Sequence, residues 1–343
     1  MVAVSCPPPP TNNNVLLFQS CNKPANFYEA IPVIGLSDPD AASLIVRASQ
    51  DFGFFKLVNH GVPMELITTL ENEAVKYFGK PQSDKDRAGP PDPFGYGNKR
   101  IGWNGDVGWI EYLLLNLNPE IISPNTQFIL NHYPHAFCSA VEKYVSEMRK
   151  LSYEVLELMA DGLGIEERNT FSRYLRDEKS DCLFRLNHYP PCSEVEAPLG
   201  CVKNLMGFGE HTDPQLISLL RSNNTSGLQI CLRDGTWVSV PSDNTSFFIN
   251  IGDTLQVMTN GRFKSVKHRV LADTSSSRVS MIYFGGPPLR EKIAPLGSVM
   301  EEEEEKLYKE FTWCEYKKAM YKSRLSDNRL APFYKAAAQS DSE

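Results

Sequence analysis

Residues 228–240 read Leu-Gln-Ile-Cys-Leu-Arg-Asp-Gly-Thr-Trp-Val-Ser-Val. Two alternating runs, Leu228 to Leu232 and Thr236 to Val240, flank Arg233-Asp234-Gly235. Asp-Gly supplies the positive-φ position that a tight turn between antiparallel strands demands, so the stretch predicts a β-hairpin. Outward from it, short apolar runs with turn punctuation recur from Leu183 onward. Phe247 to Ile251, Leu255 to Met258, Phe263 to Val270 and Val279 to Phe284 all read as strands. Several short antiparallel strands at regular spacing mean a sandwich or barrel, here a jelly roll.

N-terminal to this region the pattern is helical. Asp38 or Asp40 can cap a helix through Ala41 to Ala48, and Pro63 opens another through Leu66 to Phe78. A longer helix is expected from about Ala136 to Leu163, with apolar residues at Val141, Tyr144, Val145, Met148, Leu151, Val155, Leu158 and Met159. That i, i+3, i+4 stripe covers a core. Short strands are expected at Ile31 to Ile34 and Phe54 to Val62. Residues 1–25, with four prolines at 7–10, read as a disordered leader in which Val15 to Phe18 docks as an isolated strand. Residues 336–343 read as a frayed tail. Between them, 26–335 reads as one domain of α+β class: a helical part over 26–180, a mainly β core over 181–290 and C-terminal helices over 291–335. Glu301 to Glu305 suit the solvated start of a helix, where acids favour the positive dipole end. A second reading has this helix lining a site mouth, with Lys306 or Lys309 meeting an acidic substrate.

A chain of 343 residues is ample for a buried core without a staple. Its net charge of −7 argues against a nucleic-acid partner. Eight cysteines without a C-x-x-C pair suit reduced thiols, and Cys192, after Pro190-Pro191, is expected on an exposed turn. No signal peptide and no run of eighteen apolar residues is found, so no membrane partner is expected. The default location is the cytoplasm, with the nucleus also open to the chain.

The chemistry gathers on a few residues. His211-Thr212-Asp213 precedes a lone His268 inside a strand-like run, and Arg278-Val279-Ser280 follows. Two imidazoles and one carboxylate fit a three-ligand face with open positions, the arrangement of non-haem Fe(II) oxygenases. Arg278 offers a planar, always-charged fork for a dicarboxylate, and Ser280 lies on the same strand face. Asn187 and Tyr189 alternate on an entering strand and share a face, whereas His188 points away and is structural. No acid–base side chain beyond a metal centre is called for. A hydrolytic metal site would need an activated water and a base, and no candidate base also accounts for Arg278.

Asn187-x-Tyr189-Pro-Pro-Cys192, His211-x-Asp213, His268 and Arg278-x-Ser280, in that order, resemble the plant 2-oxoglutarate- and Fe(II)-dependent dioxygenases. Phe52-Gly53-Phe54-Phe55 and Asn59-His60-Gly61-Val62-Pro63 look like that family's N-terminal region, so the match covers about residues 28–330. The resemblance implies a double-stranded β-helix core, iron at His211, Asp213 and His268, 2-oxoglutarate at Arg278, Ser280, Tyr189 and Asn187, and O₂ as co-substrate. Residues 95–102 and 104–114, with Ser280 to Pro288, are further similar to the gibberellin 2-oxidases acting on C19 gibberellins. That implies 2β-hydroxylation inactivating the hormone, with release of succinate and CO₂. The Gly-rich, aromatic segment 94–114 can wrap an apolar diterpenoid while Lys99 or Arg100 meets its carboxylate. Arg100, Tyr112, Phe208 and Tyr283 are the expected substrate contacts. Two alternatives stand beside this: a dioxygenase of the same fold acting on another plant small molecule such as a flavonoid, and a non-catalytic hormone-binding protein. The chain is expected as a monomer or a homo-oligomer.

Overall fold

In the computed structural model, which describes residues 31–91, 93–101, 104–118, 129, 132–191 and 205–335, an eight-stranded and a four-stranded sheet face each other across a cavity. The strands are β1 (Val33–Gly35), β2 (Phe54–Val58), β3 (Gly95–Ile101), β4 (Asp106–Asn116), β5 (Leu183–Tyr189), β6 (Met206–His211), β7 (Ile217–Ser222), β8 (Leu228–Cys231), β9 (Trp237–Ser239), β10 (Phe247–Ile251), β11 (His268–Leu271), β12 (Arg278–Gly285), β13 (Lys292–Ile293) and β14 (Phe311–Thr312). The large sheet runs β1-β2-β10-β7-β12-β5-β4-β3 and the small one β6-β11-β8-β9, with β13 and β14 forming a separate pair. Apart from the parallel pair β1 and β2, neighbours are antiparallel. The molecule is therefore mainly β with flanking helices and has a jelly-roll core.

Seven α-helical segments stand outside the sheets among the described residues: α1 (Ala41–Asp51), α2 (Met64–Phe78), α3 (Gln82–Asp86), α4 (His135–Gly162), α5 (Arg173–Arg176), α6 (Asp253–Met258) and α7 (Trp313–Lys322). The apolar stripe foreseen in the sequence is what seats α4. Val141, Tyr144, Val145, Met148, Leu151, Val155 and Met159 are all buried, and Leu158 packs half-buried against the same core. The Tyr144 ring packs 5.7 Å from Phe184 of β5 and 6.4 Å from Phe247 of β10. Among the described residues no helix is long and apolar enough to cross a membrane.

The pleat of β12 sorts side chains between two environments. Val279, Met281 and Tyr283 face the helices and join the larger core cluster, with Phe184 and Leu186 of β5. Arg278, Ser280, Ile282 and Phe284 face the cavity, as do Leu183, Arg185, Asn187 and Tyr189 of β5. Register matches them across the ladder: Arg278 opposes Tyr189, Ser280 opposes Asn187, and Ile282 opposes Arg185.

Several expectations need correction. The hairpin forms as read, with Gln229 opposite Ser239 and Gly235 at φ 78°, but Leu255 to Met258 lie in helix α6 rather than a strand. A four-residue apolar run fits either period; here Gly252 and Asp253 turn the chain into a helix before the run begins. Strand pairing around His268 starts at that residue, so Phe263 to Lys267 lie outside it. Within the Gly-rich segment 94–114, β3 and β4 pair antiparallel and extend the large sheet. Neither Asp38 nor Asp40 caps α1 through its side chain; Asp38 Oδ2 instead accepts from the Gly35 amide at 2.9 Å. Glu301 to Glu305 precede no helix start. Helix α7 begins at Trp313, where a Thr312–Glu315 capping box satisfies its first amides. Glu304 instead tethers a turn, accepting from Asn260 Nδ2 at 2.7 Å. The leader, Trp103, Cys192 and the tail lie outside the described residues.

Candidate active site

Strands β6 and β11 pair so that His268 opposes His211 directly. Asp213 follows β6 by two residues, and its Oδ1 lies 3.7 Å from the Nε2 of each imidazole. One ligand atom from each of the three residues falls within 4.8 Å of the others. Each Nδ1 faces a backbone carbonyl, His211 toward Gly209 at 2.9 Å and His268 toward Val266 at 3.2 Å. A carbonyl only accepts, so both Nδ1 atoms carry the proton and both Nε2 lone pairs point at the cluster. Burial, then the neighbouring His268 and Arg329, holds the His211 imidazole well below its ordinary pKa and therefore neutral.

The carboxylate is held as firmly. Asn250 Nδ2 of β10 donates to Asp213 Oδ2 at 3.1 Å, leaving Oδ1 toward the imidazoles. The loop carrying it is fastened by the Asp253 amide on Asp213 O at 2.7 Å and by Thr254 Oγ1 on Pro214 O at 2.8 Å. This approach requires Gly252, since a Cβ there would sit 1.9 Å from Gln215 O. Thr212 Oγ1 donates to Asp253 Oδ2 at 3.0 Å, and Tyr316 OH donates to the same oxygen at 2.5 Å. Two imidazole nitrogens and a carboxylate oxygen, pre-aimed in this way, form a donor set for a divalent transition metal with open positions.

Beside the cluster, a cavity of about 930 Å³ is lined by both sheets and the C-terminal segment. Arg278 is only 2% exposed, yet its Nε and Nη1 have no hydrogen-bond partner, nor has Ser280 Oγ. A guanidinium cannot discharge by losing a proton, so an unpaired buried one marks a place for an anion. Tyr189 stacks under it, ring centroid 5.3 Å from Arg278 Cζ, and Asn187 Nδ2 donates to Tyr189 OH at 3.4 Å. Close packing of Tyr189 requires Gly207, where a Cβ would meet the ring at 2.7 Å. The four residues Arg278, Ser280, Tyr189 and Asn187 thus stand together on one wall, a shape and charge that fit a dicarboxylate chelating the metal.

Three of the four expected substrate contacts line this cavity: exposed Arg100, and buried Tyr112 and Phe208. Tyr283 does not. It faces the helix side of β12, fully buried, and its hydroxyl donates to Cys182 Sγ at 3.2 Å. Strand parity is the reason: residues 278, 280 and 282 face inward, so 283 cannot. His188 points away as expected, with Nδ1 2.7 Å from Glu111 Oε1. Lys306 and Lys309 are not among the lining residues, whereas Met320, Tyr321, Leu325 and Arg329 from the C-terminal segment are. Sequence reading missed Asn250 and Arg185. Both were signalled by a polar residue interrupting an apolar strand, Phe-Phe-Ile-Asn-Ile and Leu-Phe-Arg-Leu-Asn.

The comparisons with known proteins agree with this geometry. Residues 180–287 match the profile of the 2OG-Fe(II) oxygenase superfamily, and residues 31–135 match the "non-haem dioxygenase in morphine synthesis N-terminal" profile. The chain is similar to a gibberellin 2-beta-dioxygenase of Phaseolus coccineus, 70% identical over 92% of this chain and 94% of the relative. It is 60% identical to gibberellin 2-beta-dioxygenase 2 of Arabidopsis thaliana, over 96% and 95% of the two chains. Among solved structures it resembles JOX2 in complex with 2OG, Fe and JA, with a TM-score of 0.77 and 27% identity covering 89% of each chain. The dioxygenase for auxin oxidation of rice shares the fold, with a TM-score of 0.72 and 24% identity over 89% of this chain and 100% of that one.

Proposed function

The chain belongs to the 2OG-Fe(II) oxygenase superfamily, and from that membership we infer a gibberellin 2-beta-dioxygenase. It hydroxylates C19 gibberellins at C2 in a reaction dependent on Fe(II), 2-oxoglutarate and O₂, releasing succinate and CO₂. The observation that carries the chemistry is the His211–Asp213–His268 cluster opening onto a cavity that also holds Arg278, whose Nε and Nη1 have no hydrogen-bond partner. The substrate rests on relatives of that one activity at 56–70% identity over most of the chain.

We assign His211, Asp213 and His268 as the iron ligands. Bound there with 2-oxoglutarate, the metal supplies the oxidant for a C–H bond. The protein's own residues supply everything else. The Nδ1–carbonyl bonds and Asn250 hold three donors in place before the metal arrives, so little ordering is left to binding. Arg278 takes the distal carboxylate of 2-oxoglutarate through its fork, Ser280 Oγ donates a second bond, and Asn187 and Tyr189 complete that wall. Tyr112, Phe208, Leu220 and Leu228 form apolar walls that exclude water and match a diterpenoid skeleton, with Arg100 at the cavity lining. No general base is assigned, because replacing C–H by C–OH asks for none on the protein. For location we propose the cytoplasm, with access to the nucleus. Among the described residues Cys182, Cys231 and Cys314 are free thiols, as a reducing compartment keeps them.

The test is product analysis by mass spectrometry with a panel of C19 gibberellins and flavanones, scored together with succinate release. A hydroxylated C19 gibberellin matched by succinate is expected. Turnover of flavanones alone would move the substrate to another class, and hormone binding without succinate would make the protein a non-catalytic binder.

A further inference from the structure

We propose that Arg185 receives the carboxylate of the organic substrate and sets the preference of the site for an anionic ligand. The proposal deepens the reading of the cavity as a gibberellin-oxidising site and rests on it.

Arg185 projects from the middle of β5 into the cavity, on the face it shares with Asn187 and Tyr189. Its Nε donates to Asn187 Oδ1 at 2.7 Å, and its Nη2 is buried with no partner. Aromatic faces cover the guanidinium, with the Tyr112 ring 4.0 Å and the Phe208 ring 4.9 Å from Cζ. Among the described residues no carboxylate pairs with it; its one hydrogen-bond acceptor is a neutral amide. The stacking offsets part of the desolvation but supplies no counter-charge.

A charge inventory of the cavity singles this residue out. 2-Oxoglutarate carries two carboxylates, one for the metal and one for Arg278. Arg329 is buried and its Nε also lacks a partner, but it donates to Thr212 O at 3.2 Å and lies within electrostatic reach of buried Asp253, a carboxylate outside the metal set. Arg100 is exposed, and water screens it. Arg185 is half-buried with its Nη2 enclosed, and the one carboxylate within its electrostatic reach is Asp213, which the metal claims. It sits one aromatic ring from the metal cluster, since Phe208 lies between its guanidinium and the His211 ring, which is 4.5 Å from Phe208. A C19 gibberellin is an apolar skeleton bearing a single carboxylate. With that anion on Arg185 and its hydrocarbon against Tyr112, Phe208 and Leu220, the ligand is pinned at one point and steered at the others. The Arg185–Asn187 bond also fixes which way the Asn187 amide faces, Oδ1 to the guanidinium and Nδ2 toward Tyr189.

The experiment compares a C19 gibberellin with its carboxyl methyl ester in the full-length, Fe(II)-loaded wild type and in Arg185→Gln and Arg185→Lys. Wild type should favour the acid over the ester in kcat/KM by on the order of 30-fold or more, the cost of leaving a half-buried guanidinium without its anion. Arg185→Gln should bring the acid down to the ester's level, a loss larger than any change in the ester reaction or in the KM for 2-oxoglutarate that follows from freeing Asn187. Arg185→Lys, which keeps charge and stem, should restore part of the acid preference even if the glutamine variant folds poorly. An acid-to-ester ratio that survives in Arg185→Gln would overturn the assignment. So would a defect confined to the KM for 2-oxoglutarate, or an equal loss on both ligands, which would make Arg185 a support for Asn187. If wild type oxidises no gibberellin, the hormone reading fails instead. Arg185 is then judged on thermal shifts with a diterpenoid monocarboxylic acid against its ester: a wild-type acid preference lost in Arg185→Gln supports it, and one that persists does not.

Discussion

Asp213 and Arg278 carry opposite halves of the site's charge logic, and each makes a separate prediction. Removing Asp213 leaves two imidazoles and an open side to the metal face, so Asp213→Ala should lose turnover entirely, and His211→Ala likewise, in a succinate-release assay. Arg278 is buried, and among the described residues its Nε and Nη1 have no partner, which suits the proposed 2-oxoglutarate carboxylate. Arg278→Ala should therefore raise the KM for 2-oxoglutarate by about 30-fold or more while the KM for gibberellin moves little. An unchanged co-substrate KM would remove Arg278 from that role. At this scale the sequence was legible wherever function follows strand parity. Asn187 and Tyr189, or Arg278 and Ser280, stand two apart and share a face. The same count carried two residues back from Asn187 reaches Arg185, and carried from Arg278 it excludes Tyr283. Asn250 escaped because one polar residue inside Phe247 to Ile251 gives no hint of which distant carboxylate it will meet.

The elements that hold the site up make their own predictions. On α4, Leu156 is fully buried in the larger core cluster, so Leu156→Ala should cost about 2–5 kcal/mol in urea unfolding through lost burial and a cavity. Behind β5, Glu111 of β4 joins Lys85 of α3 at 2.6 Å, Tyr96 of β3 at 2.5 Å and His188 of β5 at 2.7 Å. Burial alone would push the Glu111 carboxyl up, but the hydrogen bonds from His188, Lys85 and Tyr96 outweigh it and hold it below its ordinary value. A depressed folded pKa gives stability that is present above the unfolded value of about 4.5 and lost as pH falls through the folded one. Denaturation midpoints across that range should fall with acid in the wild type and fall less in Glu111→Gln. At neutral pH the same substitution should cost about 3–5 kcal/mol, because it strands Lys85 without its counter-charge. Long periodic elements such as α4 could be read in advance because many residues vote for one period. Strands β3 and β4 could not, since their glycines look like turns until β5 offers an edge to pair with. The residues of α6 could not either, because four apolar positions do not define a period.

Across the whole molecule, the two sheets bring together residues far apart in sequence: β5, β6, β11 and β12 contribute to one cavity, and the C-terminal segment closes part of its rim. Unpaired donors in that cavity are satisfied only by ligands, so binding should tighten the fold as a unit. Fe(II) with saturating 2-oxoglutarate should raise the unfolding temperature, with roughly 2.7 kcal/mol of added stability at a hundredfold excess over Kd. Chelation should abolish both the shift and the activity, and Fe(II) should restore them. The most direct measurement of the account is the fate of labelled O₂ in a reaction of the Fe(II)-loaded protein with 2-oxoglutarate and a C19 gibberellin. The account predicts one labelled oxygen in the hydroxylated hormone and one in succinate, in equal amounts, with neither formed by Asp213→Ala. Hydroxylated hormone without label, or succinate formed with the hormone left intact, would contradict it.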